Sequence, residues 1–144
     1  MRIVELTSLS DAQVSDILAL MRELDPEISV TSAMLQRAVD AVGTRFFAAL
    51  EDDGHVMGCA SLCVFDSPTG RKASVEDVVV SSSCRGRGIG RQLVEAILDF
   101  ARRELAPVEI HLTSRPHRVA ANELYRSLGF QQKETNVYRL CISC

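Results

Sequence analysis

In the stretch "SSSCRGRGIGRQL", Gly86, Gly88 and Gly90 alternate with Arg85, Arg87 and Ile89, and Arg91 follows. Glycines accept positive φ and carry no Cβ, so ligand atoms can come close to their backbone N–H groups. A helix opening at Ile89 would add unpaired N–H groups and about half a positive charge at its N-terminus. The three arginines are charge-assisted donors. These residue types make a cradle for phosphate or pyrophosphate. The plainer alternative is a tight basic turn between a strand and a helix. Two other phosphate loops do not match. A P-loop follows its glycines with Lys-Ser or Lys-Thr, where this chain has Arg91-Gln92, and a dinucleotide fingerprint reads G-x-G-x-x-G rather than G-x-G-x-G.

Two further groups could move protons. Glu76 and Asp77 interrupt the apolar run "VEDVVV" just before the turn. A carboxylate in a central strand is costly unless it is paired or put to use, so the alternatives are proton transfer and an ion pair with Arg71, Lys72 or another arginine. Strict alternation places Glu76 on the face of Val78 and Val80, and Asp77 on the other. Tyr125, in "ELYRSLGF", carries a phenol that is protonated at neutral pH. It is either a core residue with its hydroxyl at the rim or a proton donor. His55 and His111 have no evident partner, and neither does Cys84 beside the turn.

The elements that must position these groups follow from periodicity. "MRIVELT" alternates as a strand. Val14, Ile17, Leu18 and Met21 recur at helical spacing, with Ser10 or Asp11 as N-cap and Pro26 beyond the end. A second helix, Thr31 to Val42, carries Met34, Leu35, Ala38 and Val42 as its stripe and stops at Gly43. "RFFAALEDDGHVMGCASLCVF" reads as a hairpin turning at Asp52-Asp53-Gly54, followed by the strand "KASVEDVVVS". A long helix runs from Ile89 to Leu105, then come the strand "VEIHLT", a short helix from Val119 to Leu128, and final strands near Phe130 and Val137 to Ile142. The order is β-α-α-β-β-β-α-β-α-β-β. One β-α-β crossover among hairpins predicts a mixed, mostly antiparallel sheet of 6–7 strands flanked by about four helices, an α+β fold.

With 144 residues, 47% hydrophobic and 24% charged, the chain suits one globular domain, 1–144. A net charge of -3 gives no support to a nucleic-acid partner. No apolar run nears the ~18 residues of a membrane span, and the N-terminus lacks the apolar stretch of a secretion signal. The expectation is a cytoplasmic protein with free thiols among its five cysteines. "CISC" has C-x-x-C spacing but no second pair, and no metal is expected.

Taken together, the turn, the valine strand before it and the helix after it resemble the GCN5-related N-acetyltransferase superfamily. Its motif Q/R-x-x-G-x-G/A corresponds to Arg85-Gly86-Arg87-Gly88-Ile89-Gly90, and its L-Y-x-x-x-G-F corresponds to residues 124–130. The strong match covers about residues 75–130; the rest fits in layout only. The resemblance implies acetyl-CoA as cosubstrate, its pyrophosphate on the N–H groups of residues 85–90 with Arg91 nearby. It implies a slot where the strand parts from "VEIHLT", with the pantetheine arm on main chain of Val78, Val79 and Val80 and the thioester carbonyl facing Val78. It gives Tyr125 the role of acid to the departing thiolate and leaves Glu76, Asp77 or a water chain as base. The family often has an asparagine seven residues before the tyrosine. This chain has Arg118 there, so that contact falls to Arg118 or Asn122. Arg115, His117 and Arg118 form a basic loop that either meets an anion or is simply solvated. The residue two before Glu76 is Ser74, which disfavours the histone-type subgroup. Glu23, Asp25 and Glu27 cluster about the loop at Leu24 to Thr31, where they either attract a cationic amine or are simply solvated. The acceptor implied is a primary amine of a small molecule or peptide, acetylated directly in a ternary complex. A non-catalytic acyl-CoA sensor is the alternative, and a homodimer is permitted.

Overall fold

The run "FFAAL" at residues 46–50 is buried throughout, as in a strand covered by helices on both faces. The computed structural model describes residues 1–143, in two compact units that divide after Thr113. The first unit holds one sheet whose strands lie in chain order: β1 (Arg2–Glu5), β2 (Thr44–Leu50), β3 (Val56–Ser67), β4 (Gly70–Val80) and β5 (Glu109–His111). Neighbours are antiparallel except β4 and β5, which are parallel. The helices α1 (Asp11–Leu24) and α2 (Ser32–Asp40) follow β1, and α3 (Ile89–Phe100) makes the crossover from β4 to β5. The second unit holds α4 (Val119–Ser127) and, among the described residues, no strand.

Alternation along β2 sorts the core into two layers. Phe46, Ala48 and Leu50 pack with Ile17, Leu20 and Met21 of α1 and Leu35 of α2. Phe47 and Ala49 pack with Ile89, Leu93, Ile97 and Phe100 of α3. Each fully buried aliphatic side chain contributes about 1.5–3 kcal/mol, so the two layers hold the helices against the sheet far more firmly than local propensity does. At the start of α1, Ser10 and Gln13 form a reciprocal capping box, which fixes where the helix begins.

Three expectations are corrected. The sheet has five strands rather than 6–7, because residues 129–143 pair with no strand. Their apolar Val137, Tyr138, Leu140 and Ile142 are exposed. Helix α2 stops at Asp40, so Val42 falls beyond it, 97% exposed, and Leu35 and Val39 carry the packing instead. Helix α3 ends at Phe100, and a single turn of π-helix covers Ala101–Leu105. The mixed α+β class and the four α-helices are as expected. Among the described residues no helix is long and apolar enough to cross a membrane.

The feature that matters most for the site is an irregularity in β4. Val79 pairs with Cys59 and Glu76 with Ser61, so Asp77 and Val78 together face the single residue Ala60. This is a β-bulge, and Asp77 adopts φ +52 within it. The extra residue reverses the alternation. Ala73 and Val75 pack on the α3 side, as do Val78 and Val80, whereas Val79 joins the α1 layer. Glu76, next to Val75 on the strand, therefore points away from Val78 and Val80, contrary to the reading from strict alternation. Opposite Val80, Gly58 leaves room for close approach: a Cβ there would lie 2.8 Å from the Val79 carbonyl oxygen.

A left-handed residue in a strand is tolerated by Asp, Asn or Gly and opposed by β-branched side chains. We expect Asp77→Gly to keep or raise the melting temperature and Asp77→Ile to lose about 1–2 kcal/mol of stability in denaturant titration. Equal losses for both variants would show that backbone conformation is not the constraint at this position.

Candidate active site

The strands β4 and β5 pair only at Lys72, Ala73 and Ser74. From Val75 to Val80 the edge of β4 that faces β5 has no strand partner, while its other edge stays paired with β3 as far as Val80. An unpaired strand edge offers backbone donors and acceptors to any extended, amide-bearing ligand. The chain leaves this edge through a short 3-10 turn (Ser82–Cys84) and enters the glycine turn.

Gly86 has φ +80 and Gly88 φ +74, conformations that L side chains rarely adopt. Gly88 is the N-cap of α3 and offers no side-chain cap. The first intrahelical bond runs from Gln92 N–H to the Gly88 carbonyl at 3.1 Å. The N–H groups of Ile89, Gly90 and Arg91 precede it and have no acceptor within the helix. Ile89 is buried and anchors this end of α3 to the sheet. A Cβ built on Gly86 or Gly88 would meet no atom within 4 Å, so the space above the turn is open. The arrangement suits an anion at the start of a helix.

The side chains around the turn are not disposed as their types alone suggest. Arg85 is exposed. The Arg87 guanidinium donates to Glu51 at 3.0 Å, and Arg91 meets Glu95 of the same helix at 3.5 Å. Glu23, expected to face an amine from a loop, lies in the last turn of α1 and accepts the Ser82 N–H at 2.8 Å. Asp25 is likewise engaged locally, accepting the Glu27 N–H. His55 does have a partner, since its Nδ1 lies 3.0 Å from Asp16, whose carboxylate also accepts the Val56 N–H. Glu51 and Asp16 escaped the sequence reading because their partners lie 36 and about 40 residues away, and no local pattern encodes such a pairing.

On β4, the Ser74 hydroxyl donates to Glu76 at 2.6 Å. Arg71 pairs instead with Asp66, and Lys72 donates to Thr69, so among the described residues neither Glu76 nor Asp77 has an ion-pair partner. Partial burial raises the Asp77 carboxyl above the ordinary carboxylate range, and the charge of Glu76 raises it further. Burial likewise pushes the Cys59 thiol to about 12, with Asp77 adding to the effect, which leaves it a neutral core group.

In the second unit, α4 ends in a Schellman cap. The Phe130 N–H bonds to the Tyr125 carbonyl at 3.0 Å, the Gly129 N–H bonds to Arg126 at 3.1 Å, and Gly129 has φ +98. The rings of Tyr125 and Phe130 meet edge to face at 6.0 Å, which is the apolar contact such caps carry. The spacing "YRSLGF" is thus the cap itself, and it fixes the orientation of Tyr125. Burial raises the Tyr125 phenol while the charge of Arg118 partly opposes it, so the hydroxyl remains protonated at neutral pH. The Asn122 amide donates to the Arg115 carbonyl at 3.1 Å and holds the preceding loop, while Arg118 occupies the N-cap position of α4. Glu76, Asp77, Val78–Val80 and the turn therefore share the first unit, and Arg118, Asn122 and Tyr125 share the second. Cys141 is a free, exposed thiol; the other half of "CISC", Cys144, lies outside the described residues.

The raised carboxyl has a consequence for stability. Between the ordinary carboxylate pKa and the raised folded one, the folded state binds more protons than the unfolded state. Stability therefore falls as pH rises through that window and stays lower above it. Asp77→Asn, which also tolerates positive φ, removes this penalty. Its melting temperature should exceed that of the parent at neutral pH, with the gain shrinking as pH falls through the window. A constant difference at all pH values would contradict the shift.

Comparison with known proteins agrees with this geometry. The family model described as "Acetyltransferase (GNAT) family" matches residues 13–130. N-acetyltransferase family 8 member 2 of Rattus norvegicus is 36% identical over 88 residues, which is 60% of this chain and 38% of that protein. The N-alpha-acetyltransferase RimI of Mycobacterium tuberculosis is 33% identical over 86 residues, 60% of this chain and 52% of its own. The chain thus spans about half, or less, of the length of these curated relatives. The solved structure of AAC(6')-Iy with the bisubstrate analog CoA-S-monomethyl-acetylneamine has a TM-score of 0.76 at 19% identity, covering 99% of this chain and 98% of that one. The bulged strand, the glycine turn at the head of α3 and a family match over most of its length lead to one conclusion: the chain belongs to the acetyltransferase (GNAT) family.

Proposed function

We propose that the chain is an N-acetyltransferase that passes an acetyl group from acetyl-CoA directly to a primary amine of a small molecule or peptide. We read it as one such domain, a reading supported by a family match that runs from residue 13 to 130 across the boundary between the two units. One observation carries the proposal: the open edge of β4 leads without a break into the positive-φ turn at the head of α3. An extended arm with two amides fits the first, and a pyrophosphate fits the second. The neighbour solved with a CoA-based analog has the same fold, which supports CoA as the ligand.

In this reading the N–H groups of residues 85–90 hold the pyrophosphate, with Arg85 and Arg91 as side-chain donors, and backbone of Val78, Val79 and Val80 receives the arm. At the bulge of Asp77 and Val78, where two residues face one, the backbone of Val78 is the candidate to stabilise the oxyanion of the tetrahedral intermediate. The attacking ammonium must first lose a proton. Glu76 and Asp77 are the acceptors, and a carboxyl raised above the usual range is better matched to that task at neutral pH. The amine nitrogen then bonds to the thioester carbon, the C–S bond breaks, and the thiolate takes a proton from the Tyr125 hydroxyl. Asn122, bonded to the Arg115 carbonyl, holds the loop that leads into α4.

CoA release across a broad panel of primary amines tests the proposal. Turnover on at least one amine is expected. Tight acetyl-CoA binding without turnover on any amine would favour a sensor instead. Tyr125→Phe should lower kcat by about 10²-fold or more while leaving acetyl-CoA affinity little changed. Unchanged kcat would remove Tyr125 as the acid. Gly88→Asp places a negative charge and a side chain in the cradle and should abolish acetyl-CoA binding in calorimetry. Normal affinity would remove the pyrophosphate assignment.

A further inference from the structure

A turn built on two positive-φ glycines has little side-chain packing of its own to fix its shape: nothing lies within 4 Å of where either Cβ would be. Its anchors come from elsewhere in the first unit. The Ser81 N–H bonds to the Met57 carbonyl at 2.8 Å, the Ser82 N–H bonds to the Glu23 carboxylate at 2.8 Å, and Arg87 bonds to Glu51 at 3.0 Å. Two of these three anchors are carboxylates, placed beside a site that suits an anion. Unneutralised negative charge there would oppose phosphate binding. Each is instead engaged, Glu51 by the guanidinium and Glu23 by a backbone N–H.

Glu51 is itself held in place. Its N–H bonds to the His55 carbonyl and its carbonyl accepts the Gly54 N–H, both at 2.9 Å, which closes the β2–β3 turn. Asp16 of α1 ties the far side of that turn through Val56 N–H and His55, each at 3.0 Å. The same Arg87 nitrogen lies 3.5 Å from the Met57 sulfur. The guanidinium is thus directed along the hairpin, and its charge is balanced by the carboxylate it meets.

We propose that Glu51 and Glu23 are positioning residues for the glycine turn, and that Arg87 acts through Glu51 rather than as a direct phosphate ligand. The proposal rests on the reading of the turn as the pyrophosphate site of acetyl-CoA. Calorimetry with acetyl-CoA on the full chain distinguishes the roles. Glu51→Gln and Arg87→Gln should each raise Kd by about two- to fivefold, as loss of a half-exposed ion pair does, with binding stoichiometry unchanged. The double variant should be no weaker than the weaker single variant, because both remove the same contact. Loss of folded protein would instead lower the stoichiometry at constant Kd. A rise of roughly 10- to 100-fold for Arg87→Gln, with Glu51→Gln unchanged or tighter, is what a direct charge-assisted phosphate contact gives, and it would overturn the proposal.

Amide hydrogen exchange at residues 81–88 in the free protein gives a second readout. Glu51→Gln, Arg87→Gln and Glu23→Ala should each speed exchange there while the core of α3 stays protected. Unchanged exchange would overturn the positioning role whatever the affinities. Faster exchange in the variants of a protein that does not bind acetyl-CoA would uphold the brace and refute the functional reading.

Discussion

The geometry of the site depends on one extra residue in β4. With Asp77 and Val78 sharing a single partner, the strand can bury Val75 against α3 and Val79 against α1, which regular alternation forbids. The same irregularity places Glu76 and Asp77 side by side in a strand between two buried valines. It also falls just beyond the three residue pairs that join β4 to β5. Bulge, parted strands and glycine turn are therefore consecutive parts of a single path along the chain. The parted edge of β4 and the head of α3 lie where the proposed extended, anionic ligand would run.

Electrostatics along that path runs from acid to base. Among the described residues Glu76 and Asp77 stand at one end without an ion-pair partner, and partial burial, with the charge of Glu76 adding to it, raises Asp77. At the other end the helix terminus opens at Gly86 and Gly88, where a Cβ would meet no atom within 4 Å. The carboxylates near that end, Glu23 and Glu51, are bonded to donors of the turn itself. Among the described residues, negative charge is thus without an ion-pair partner on β4 and bonded to donors at the turn, as the proposed proton transfer and phosphate binding require.

Much of this was legible in the sequence, and the reasons divide cleanly. Helices α1, α3 and α4 announce themselves through stripes and end signals within a few residues of one another: Ser10 or Asp11 before α1, the glycines before Ile89, Gly129 before Phe130. The glycine turn at the head of α3 follows from residue type alone. The bulge does not, because an inserted residue is invisible to a period-two reading, and so Glu76 was assigned to the wrong face. Residues 137–142 are mostly apolar, but a strand forms only where another backbone takes up its hydrogen bonds, and composition cannot supply that partner. Val42 failed for a similar reason: its helical spacing is right, but the helix has already ended. Glu51, Glu23 and Asp16 make contacts that exist only once distant segments have met.

The most direct test of the central claim is amide NMR of the labelled protein during titration with acetyl-CoA. The account predicts saturable shifts concentrated at Val78–Val80 and at residues 85–91, reproduced by CoA and absent with ATP at the same concentration. Saturable binding that leaves those amides unmoved, or equal response to ATP, would contradict it.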